Sequence, residues 1–488
     1  MKNQPDYYAI LGISPDATSE EVREAAKALG ARFPKDARDP SQNVAYRQLL
    51  EAYEVLRDPE RRAAYDAARQ ARTGFLDLTV QASRESIGAL DNDQLLYLLV
   101  DIRPPHKAAE RRRSINLSLV FDCSTSMGGK RLERVKIAAA QVIERLSPED
   151  VVSVIGFSDR AQTIVPAARV NNKQLLISRI DRMKASGGTE IFQGLKAGVK
   201  EMRKAMMSRY VNHLVLLTDG HTYGDEEQCI KLADEISKQS VTITAFGIGG
   251  DWNDKFLDEL VTASGGRSIF IEEPDQIIDY LQERIQGLGT VYAQDVRLLA
   301  NFPASISCSE VMKLSPFAQP LDCGGKEIAL GVVEGRAPLS ALLELKIKPQ
   351  PAGRRLEIPL DFRADIPVEQ LQDYPFDARH TVKVVPGDPD LSPSPSIVRA
   401  VQMLNLHRMN ERAWSEAEAG QLDMATKRME RLTSRLMAAG HTKLAQQAMM
   451  ETQRLSRMGT ASSEGRKKMK YGTRSLISKT VRFDKEDD

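Results

Sequence analysis

Cysteine is scarce. Four residues in 488, Cys123, Cys229, Cys308 and Cys323, are too few to organise a fold by disulfides. Such a chain reads as one from a reducing compartment. Cys308 and Cys323 could meet across a hairpin, but two free thiols fit that compartment better. No apolar run approaches the ~20 residues that cross a bilayer. The opening Met-Lys-Asn-Gln-Pro-Asp carries no apolar signal core, so the expectation is a cytoplasmic protein without a membrane partner. An excess of charge of one sign is also missing. Lys and Arg number 68 against 67 Asp and Glu, which removes any general electrostatic claim on nucleic acid and leaves only local patches. A phosphate loop of Gly-x-x-x-x-Gly-Lys form, a nucleophile elbow and a Cys-x-x-Cys pair are all absent. No catalytic residues are assigned, and the chain is expected not to be an enzyme.

What is present is a normal folded composition, 42% hydrophobic and 28% charged, over a length that suggests about three domains. The fold class expected is multidomain α/β. Residues 1–70 read as a small helical hairpin. Thr18 and Glu21 form a capping box, and Val22, Ala25, Ala26 and Leu29 then repeat at helical spacing. Ala45, Leu49, Ala52 and Leu56 do the same beyond a proline-broken loop.

Residues 114–288 alternate near-continuous apolar strands with amphipathic helices, the pattern of a doubly wound parallel sheet covered on both faces. Residues 73–105 and 290–385 carry short alternating runs. They either pair into one antiparallel β-sandwich with the α/β domain inserted between its strands, or the first pair simply packs on that domain. Residues 396–458 are helical in three segments punctuated by Gly420, Gly440 and Gly459, a bundle or a repeat fragment. Residues 459–488, basic and then acidic, are expected to be disordered.

The strongest chemistry follows the strand 115–121, where the chain reads Asp122-Cys123-Ser124-Thr125-Ser126. Ligands of an open parallel sheet bind beyond the carboxyl ends of its strands. Ser186-Gly187-Gly188-Thr189-Glu190 adds a hydroxyl after a flexible turn, and Thr218-Asp219-Gly220 ends another apolar strand. Asp122, Ser124, Ser126, Thr189 and Asp219 together offer hard oxygen donors with few charges, which suits Mg²⁺ or Mn²⁺. His221 stands beside Asp219 and either faces the same cleft or is a solvated loop histidine. Cys123 is a spacer expected to pack inward.

This set resembles the von Willebrand factor A domain and its metal-ion-dependent adhesion site. The resemblance implies that Ser124, Ser126 and Thr189 touch the metal while Asp122 and Asp219 act mainly through water. It also implies that a partner's Asp or Glu side chain completes the coordination.

At the amino end, Tyr7-Tyr8-x-Ile10-Leu11-Gly12 and Ala52-Tyr53-Glu54-Val55-Leu56-x-Asp58-Pro59-x-x-Arg62-x-x-Tyr65-Asp66 look like the borders of a J-domain. That co-chaperone module stimulates an ATP-dependent heat-shock chaperone through a His-Pro-Asp tripeptide. Here Phe33-Pro34-Lys35 stands in its place, so the acidic group becomes a basic one. Such a reversal at a docking loop opposes chaperone stimulation. Near the carboxyl end, Thr473 and Thr480 lie among basic residues and suit a Ser/Thr kinase. They are candidate phosphosites for a forkhead-associated-domain partner, against the plainer reading of a solvated tail. The function expected is a cytoplasmic scaffold or adaptor that binds a partner's carboxylate through the metal. The alternatives are a J-domain co-chaperone delivering clients, and a subunit of an ATPase-coupled remodelling complex.

Overall fold

The structure, a computed structural model, describes residues 7–11, 13, 17–31, 33, 44–59, 61–62, 65, 75–105, 112–206, 210–222, 224–335, 337–387, 389, 393–460 and 462–483. The chain divides into two units, Met1–Phe75 and Leu76–Asp488.

The first unit holds α1 (Tyr7–Leu11), α2 (Ser19–Ala31) and α3 (Val44–Leu56). The capping box forms: the Thr18 amide donates to Glu21 at 2.7 Å and the Glu21 amide to the Thr18 hydroxyl at 3.3 Å. Two of the free amides at the start of α2 are thereby satisfied. Tyr7, Tyr8, Leu11, Val22, Leu49, Ala52 and Leu56 make the core. The border motifs lock together, because the Tyr65 hydroxyl accepts the Tyr7 amide at 2.9 Å and Arg62 Nε donates to the Tyr8 hydroxyl at 2.9 Å.

The second unit begins with β1 (Asp77–Ala82), β2 (Ser86–Gly88) and β3 (Gln94–Arg103). The α/β domain follows. Its elements are β4 (Ile115–Asp122), α4 (Lys130–Arg145), β5 (Val151–Phe157), β6 (Ala161–Arg169), α5 (Lys173–Ile180), α6 (Ile191–Arg203), β7 (Val211–Thr218), α7 (Glu226–Ser237), β8 (Val241–Ile248), α8 (Asp254–Thr262), β9 (Arg267–Ile271) and α9 (Gln276–Leu288). The six strands run in the order β6-β5-β4-β7-β8-β9, all neighbours parallel except β5 with β6. Strands β4, β5, β7 and β8 are buried at every position, which is why they read as continuous apolar runs. Leu117, Leu119 and Phe121 pack on Val135, Ala139 and Val142 of α4 and on Leu281 and Ile285 of α9. Val120, Ile155 and Phe157 share a core with Leu195 and Val199 of α6, and Leu257 and Leu260 of α8 extend that core over β8. Helix α6 sits so close to the sheet that a Cβ on Gly194 would stand 2.5 Å from the Phe157 ring.

Then come β10 (Val291–Leu299), β11 (Ile306–Ser315), β12 (Gln319–Leu321), β13 (Glu327–Glu334), β14 (Leu339–Ile347), β15 (Arg355–Ile366) and β16 (Leu371–Val385). With the first three strands they build two five-stranded sheets, β1-β3-β14-β11-β12 and β13-β10-β15-β16-β2. Segments on both sides of the α/β domain thus share each sheet: β3 pairs antiparallel with β14 from Leu339↔Ile102 to Ile347↔Gln94. One pairing departs from the antiparallel expectation. The three-residue β2 crosses to the second sheet and runs parallel to β16.

Four helices end the unit: α10 (Pro395–Glu418), α11 (Leu422–Ala438), α12 (Thr442–Met458) and α13 (Ser463–Phe483). Gly420, Gly440 and Gly459 take φ of 76°, 79° and 65°, the left-handed conformation that ends a helix cheaply only with glycine. Trp414, Met429, Leu432, Leu436, Ala445 and Met469 form the bundle core. Ile397, Ala400, Leu404 and Ile477 cover the outer face of the first sheet at Leu99, Met312 and Leu342.

Within the stretch 459–488, expected to be disordered, residues 463–483 instead form the fourth helix. Its basic residues read as solvated charges in the sequence. In the fold, buried Lys470 pairs with Asp254 and Asp258 of α8, and Arg474 pairs with Asp258. Those partners lie more than two hundred residues away, where no local pattern reveals them.

Candidate metal centre

Three loops meet beyond the carboxyl ends of β4 and β7. The first leaves β4 at Asp122 and makes a tight turn over Thr125–Met127. The Asp122 side chain is fully buried. Its Oδ1 accepts the Ser124 amide at 2.8 Å and its Oδ2 the Thr218 hydroxyl at 2.7 Å. The Ser124 and Ser126 hydroxyl oxygens are 3.0 Å apart, and Ser126 Oγ donates to Asp219 Oδ1 at 2.7 Å. Asp122, Ser124, Ser126 and Asp219 therefore form one continuous polar cluster.

The second loop is fastened to the first. The Ser186 amide donates to the Cys123 carbonyl at 2.7 Å, and the Thr125 amide and hydroxyl both donate to the Gly187 carbonyl at 3.0 Å. Gly187 has φ of 76°, and a Cβ there would stand 2.4 Å from Asp159 Oδ2, so only glycine fits. Asp159 Oδ1 in turn accepts the Gly188 amide at 2.8 Å. These ties place buried Thr189 against the third loop, its hydroxyl 3.6 Å from the point a Cβ on Gly220 would occupy. All five residues singled out in the sequence thus line the same end of the sheet.

Sequence reasoning missed two participants. Thr218 anchors Asp122, and Arg131, in the first turn of α4, donates to Asp219 Oδ2 and reaches the Ser126 carbonyl at 3.4 Å. The Thr-Asp-Gly motif contained the first signal. The second had none beyond a basic residue soon after the loop. His221 is exposed, as suits a solvated loop histidine. Cys123 packs inward, and burial with the nearby Asp122 charge pushes its thiol up to about 12.

Two buried carboxylates, Asp122 and Asp219, share the pocket. Burial raises the Asp122 carboxyl above its ordinary range. The Ser124 and Thr218 hydrogen bonds oppose that rise, and the Asp219 charge adds to it. The two carboxylates are already engaged by protein donors, which leaves the serine and threonine oxygens as the groups available to a metal. A 3.0 Å separation of Ser124 and Ser126 oxygens is close to the ~2.9 Å between adjacent ligands of an octahedral ion with 2.0–2.1 Å bonds. The donor set therefore fits a hard divalent cation. Among the described residues no cluster of three His, Cys, Asp or Glu stands close enough to hold a metal.

The candidate phosphosites fare differently. Thr473 is fully buried in α13, its hydroxyl bonded to His407 Nδ1 at 2.9 Å and to the Met469 and Lys470 carbonyls. From there it cannot present a phosphate to a forkhead-associated domain, contrary to the expectation from the basic residues around it. Thr480 falls in the last turn of the same helix, and its side chain lies outside the described residues.

Comparison with known proteins agrees with this architecture. Residues 116–284 match the von Willebrand factor type A domain, residues 6–66 the DnaJ domain, and residues 395–479 the Sll0103-like, C-terminal alpha-helical domain. The chain thus carries a VWA domain and an N-terminal DnaJ domain. Among similar proteins, "Uncharacterized protein sll0103" of Synechocystis is 34% identical over 225 residues, 46% of this chain and 53% of that one. The curved DNA-binding protein of Coxiella burnetii is 44% identical over 63 residues, 13% of this chain and 20% of that one. The chain therefore spans about half the first relative and a fifth of the second. Among solved structures, a von Willebrand factor type A protein from Catenulispora acidiphila superposes with a TM-score of 0.66 at 17% identity, covering 82% of this chain and 96% of that chain. The ArnB paralog VWA2 from Sulfolobus acidocaldarius gives 0.52 at 14% identity, covering 83% and 98%. These likenesses establish the fold. Among the described residues no helix is long and apolar enough to cross a membrane.

Proposed function

We propose that the chain is an adaptor that captures a partner's Asp or Glu side chain through a divalent cation of magnesium type. Ser124, Ser126 and Thr189 would hold the ion directly, with Asp122 and Asp219 behind them. The observation that carries this is the engagement of both carboxylates by protein donors, Asp122 by Ser124 and Thr218 and Asp219 by Ser126 and Arg131. The bound ion would supply an electrophilic coordination position, because few carboxylates neutralise it. An acid arriving from another molecule would then be favoured over water. Affinity capture tests the reading. Immobilised chain should retain a partner in Mg²⁺ and release it in chelator, and Asp122→Ala should retain nothing. Equal retention with chelator would rule the mode out.

The DnaJ domain supports a second role, the docking of a chaperone-related partner. We propose that it docks without stimulating the partner's ATPase. Phe33 is half-buried, and its ring meets Tyr46 edge-on at 5.3 Å, so the side chain at the histidine position packs within the hairpin instead of serving as a polar contact. Pro34 and Lys35 lie outside the described residues. The full chain should leave a heat-shock chaperone's ATPase at its basal rate. Stimulation as strong as that by a J-domain with an intact tripeptide would refute this.

A further inference from the structure

Ten large apolar side chains are exposed among the described residues, and half of them are methionines on two consecutive helices of 17 residues each. Met424 and Met437 on α11 are 52% and 46% exposed; Met449, Met450 and Met458 on α12 are 44%, 54% and 65% exposed. The other five, Leu50, Leu90, Leu95, Ile137 and Leu175, lie on five separate segments. The bundle core is filled by other residues, Met429, Leu432 and Leu436 of α11 and Ala445 and Ala448 of α12.

The same two helices are basic in a chain that is nearly neutral. They hold seven Lys or Arg against three Asp or Glu, while the whole chain carries a net +1. One of the three acids, Glu451, is buried, and burial raises its carboxyl. The charges and the methionines are interleaved at helical spacing. On α11, Met424, Lys427 and Arg431 follow at three and four residues. On α12, Met450, Arg454 and Arg457 follow at four and three. All six are exposed. Methionine is unbranched and polarisable, so a surface of it repacks around varied apolar partners. Arginine and lysine beside it select carboxylates. An anionic bilayer is better served by aromatic and leucine side chains that insert at the interface, and neither helix contains an aromatic residue. Phosphate backbones make no use of methionine.

We infer that the outer face of α11 and α12 is a docking surface for an acidic, amphipathic helical segment of a partner protein. Its apolar residues would lie on the methionines and its Asp and Glu side chains on Arg431 and Arg454. This surface is separate from the loops beyond β4 and β7 and needs no metal, so chelation leaves it intact and its failure does not touch the adhesion-site reading.

The test uses the full chain against a random 16-residue peptide library displayed on phage, in chelator. The comparison chains are Met424→Ser/Met450→Ser and Arg431→Glu/Arg454→Glu, each checked for native circular dichroism. Because all four side chains are exposed, both pairs should fold. The wild-type chain should enrich peptides with apolar residues at three- and four-residue spacing and an excess of Asp and Glu. A resynthesised binder should lose at least tenfold in affinity on both variants, as read by fluorescence anisotropy. Binding that survives either pair, enrichment without acidic bias, or no enrichment overturns the proposal. So does stronger association with phosphatidylserine vesicles or a single-stranded DNA oligonucleotide than with the selected peptide.

Discussion

Ser126 Oγ donates to Asp219 Oδ1 at 2.7 Å across 93 residues of sequence, joining the loop after β4 to the loop after β7. One hydroxyl thus sets the spacing between the first serine pair and the second carboxylate. Asp219→Asn keeps the shape but weakens the acceptor that orients Ser126. Loss of such an orienting contact lowers metal affinity by ~10–100-fold. The shift of thermal midpoint caused by Mg²⁺ should shrink accordingly. An unchanged shift would mean that Asp219 plays no part in holding an ion.

The clamp between α8 and α13 should dominate the stability of the carboxyl-terminal helix. Asp258 is surrounded by Lys470 and Arg474, both themselves buried. Removing one member of a buried ionic cluster leaves the rest uncompensated, at a cost of ~3–5 kcal/mol. Asp258→Ala should lower the urea midpoint to match. Burial alone would raise the Asp258 carboxyl, but Arg474 and Lys470 hold it well below the ordinary carboxylate range. The folded value is depressed, so its contribution is complete above the unfolded value of ~3.9 and is lost as pH falls from there. Urea titrations from pH 5 to pH 2 should show this loss in the wild type and less of it in Asp258→Asn.

Lys313 predicts the opposite end of the pH scale. It is fully buried on β11 and donates to the Gly265 carbonyl, with its ammonium 4.5 Å from the Phe317 ring centre. Burial brings its value down to about 7. Arg284 and Arg267 push the same way, and Glu334 opposes them. Between about 7 and the unfolded value of ~10.4 the unfolded chain binds the extra proton, so stability rises with pH over that range. Lys313→Met should remove part of the rise between pH 7 and pH 9 in chemical denaturation. A midpoint with the same pH slope in both proteins would contradict the assignment.

Thr473 illustrates what a linear reading misses. The basic residues around it do resemble a kinase site, yet its hydroxyl is wholly buried against His407. Thr473→Val leaves the imidazole nitrogen without its partner, which costs ~1–3 kcal/mol. Native protein treated with a basophilic Ser/Thr kinase should show no phosphate at Thr473 by peptide mass mapping. Stoichiometric modification of folded protein would show that α13 detaches.

The legible parts were those governed by local periodicity. Continuous apolar runs fixed β4, β5, β7 and β8, the Thr18–Glu21 box marked the start of α2, and glycines marked the helix ends in the bundle. That Asp122, Ser124, Ser126, Thr189 and Asp219 would stand at one end of the sheet was legible because strand ends of a parallel sheet converge on one edge. Edge strand β6 was not, since its exposed alternation is broken by Pro166. The parallel pairing of β2 with β16 was hidden because three residues carry no pattern. Arg131 and the α8–α13 clamp act through contacts between distant segments, which spacing along the chain does not encode.

Isothermal titration of the full chain with MgCl₂ tests the central claim most directly. The account predicts a single saturable site per chain whose heat disappears in Asp122→Ala and is sharply reduced in Thr189→Ala, with both variants retaining native circular dichroism. A wild-type chain that takes up no Mg²⁺, or variants that bind it as the wild type does, would contradict it.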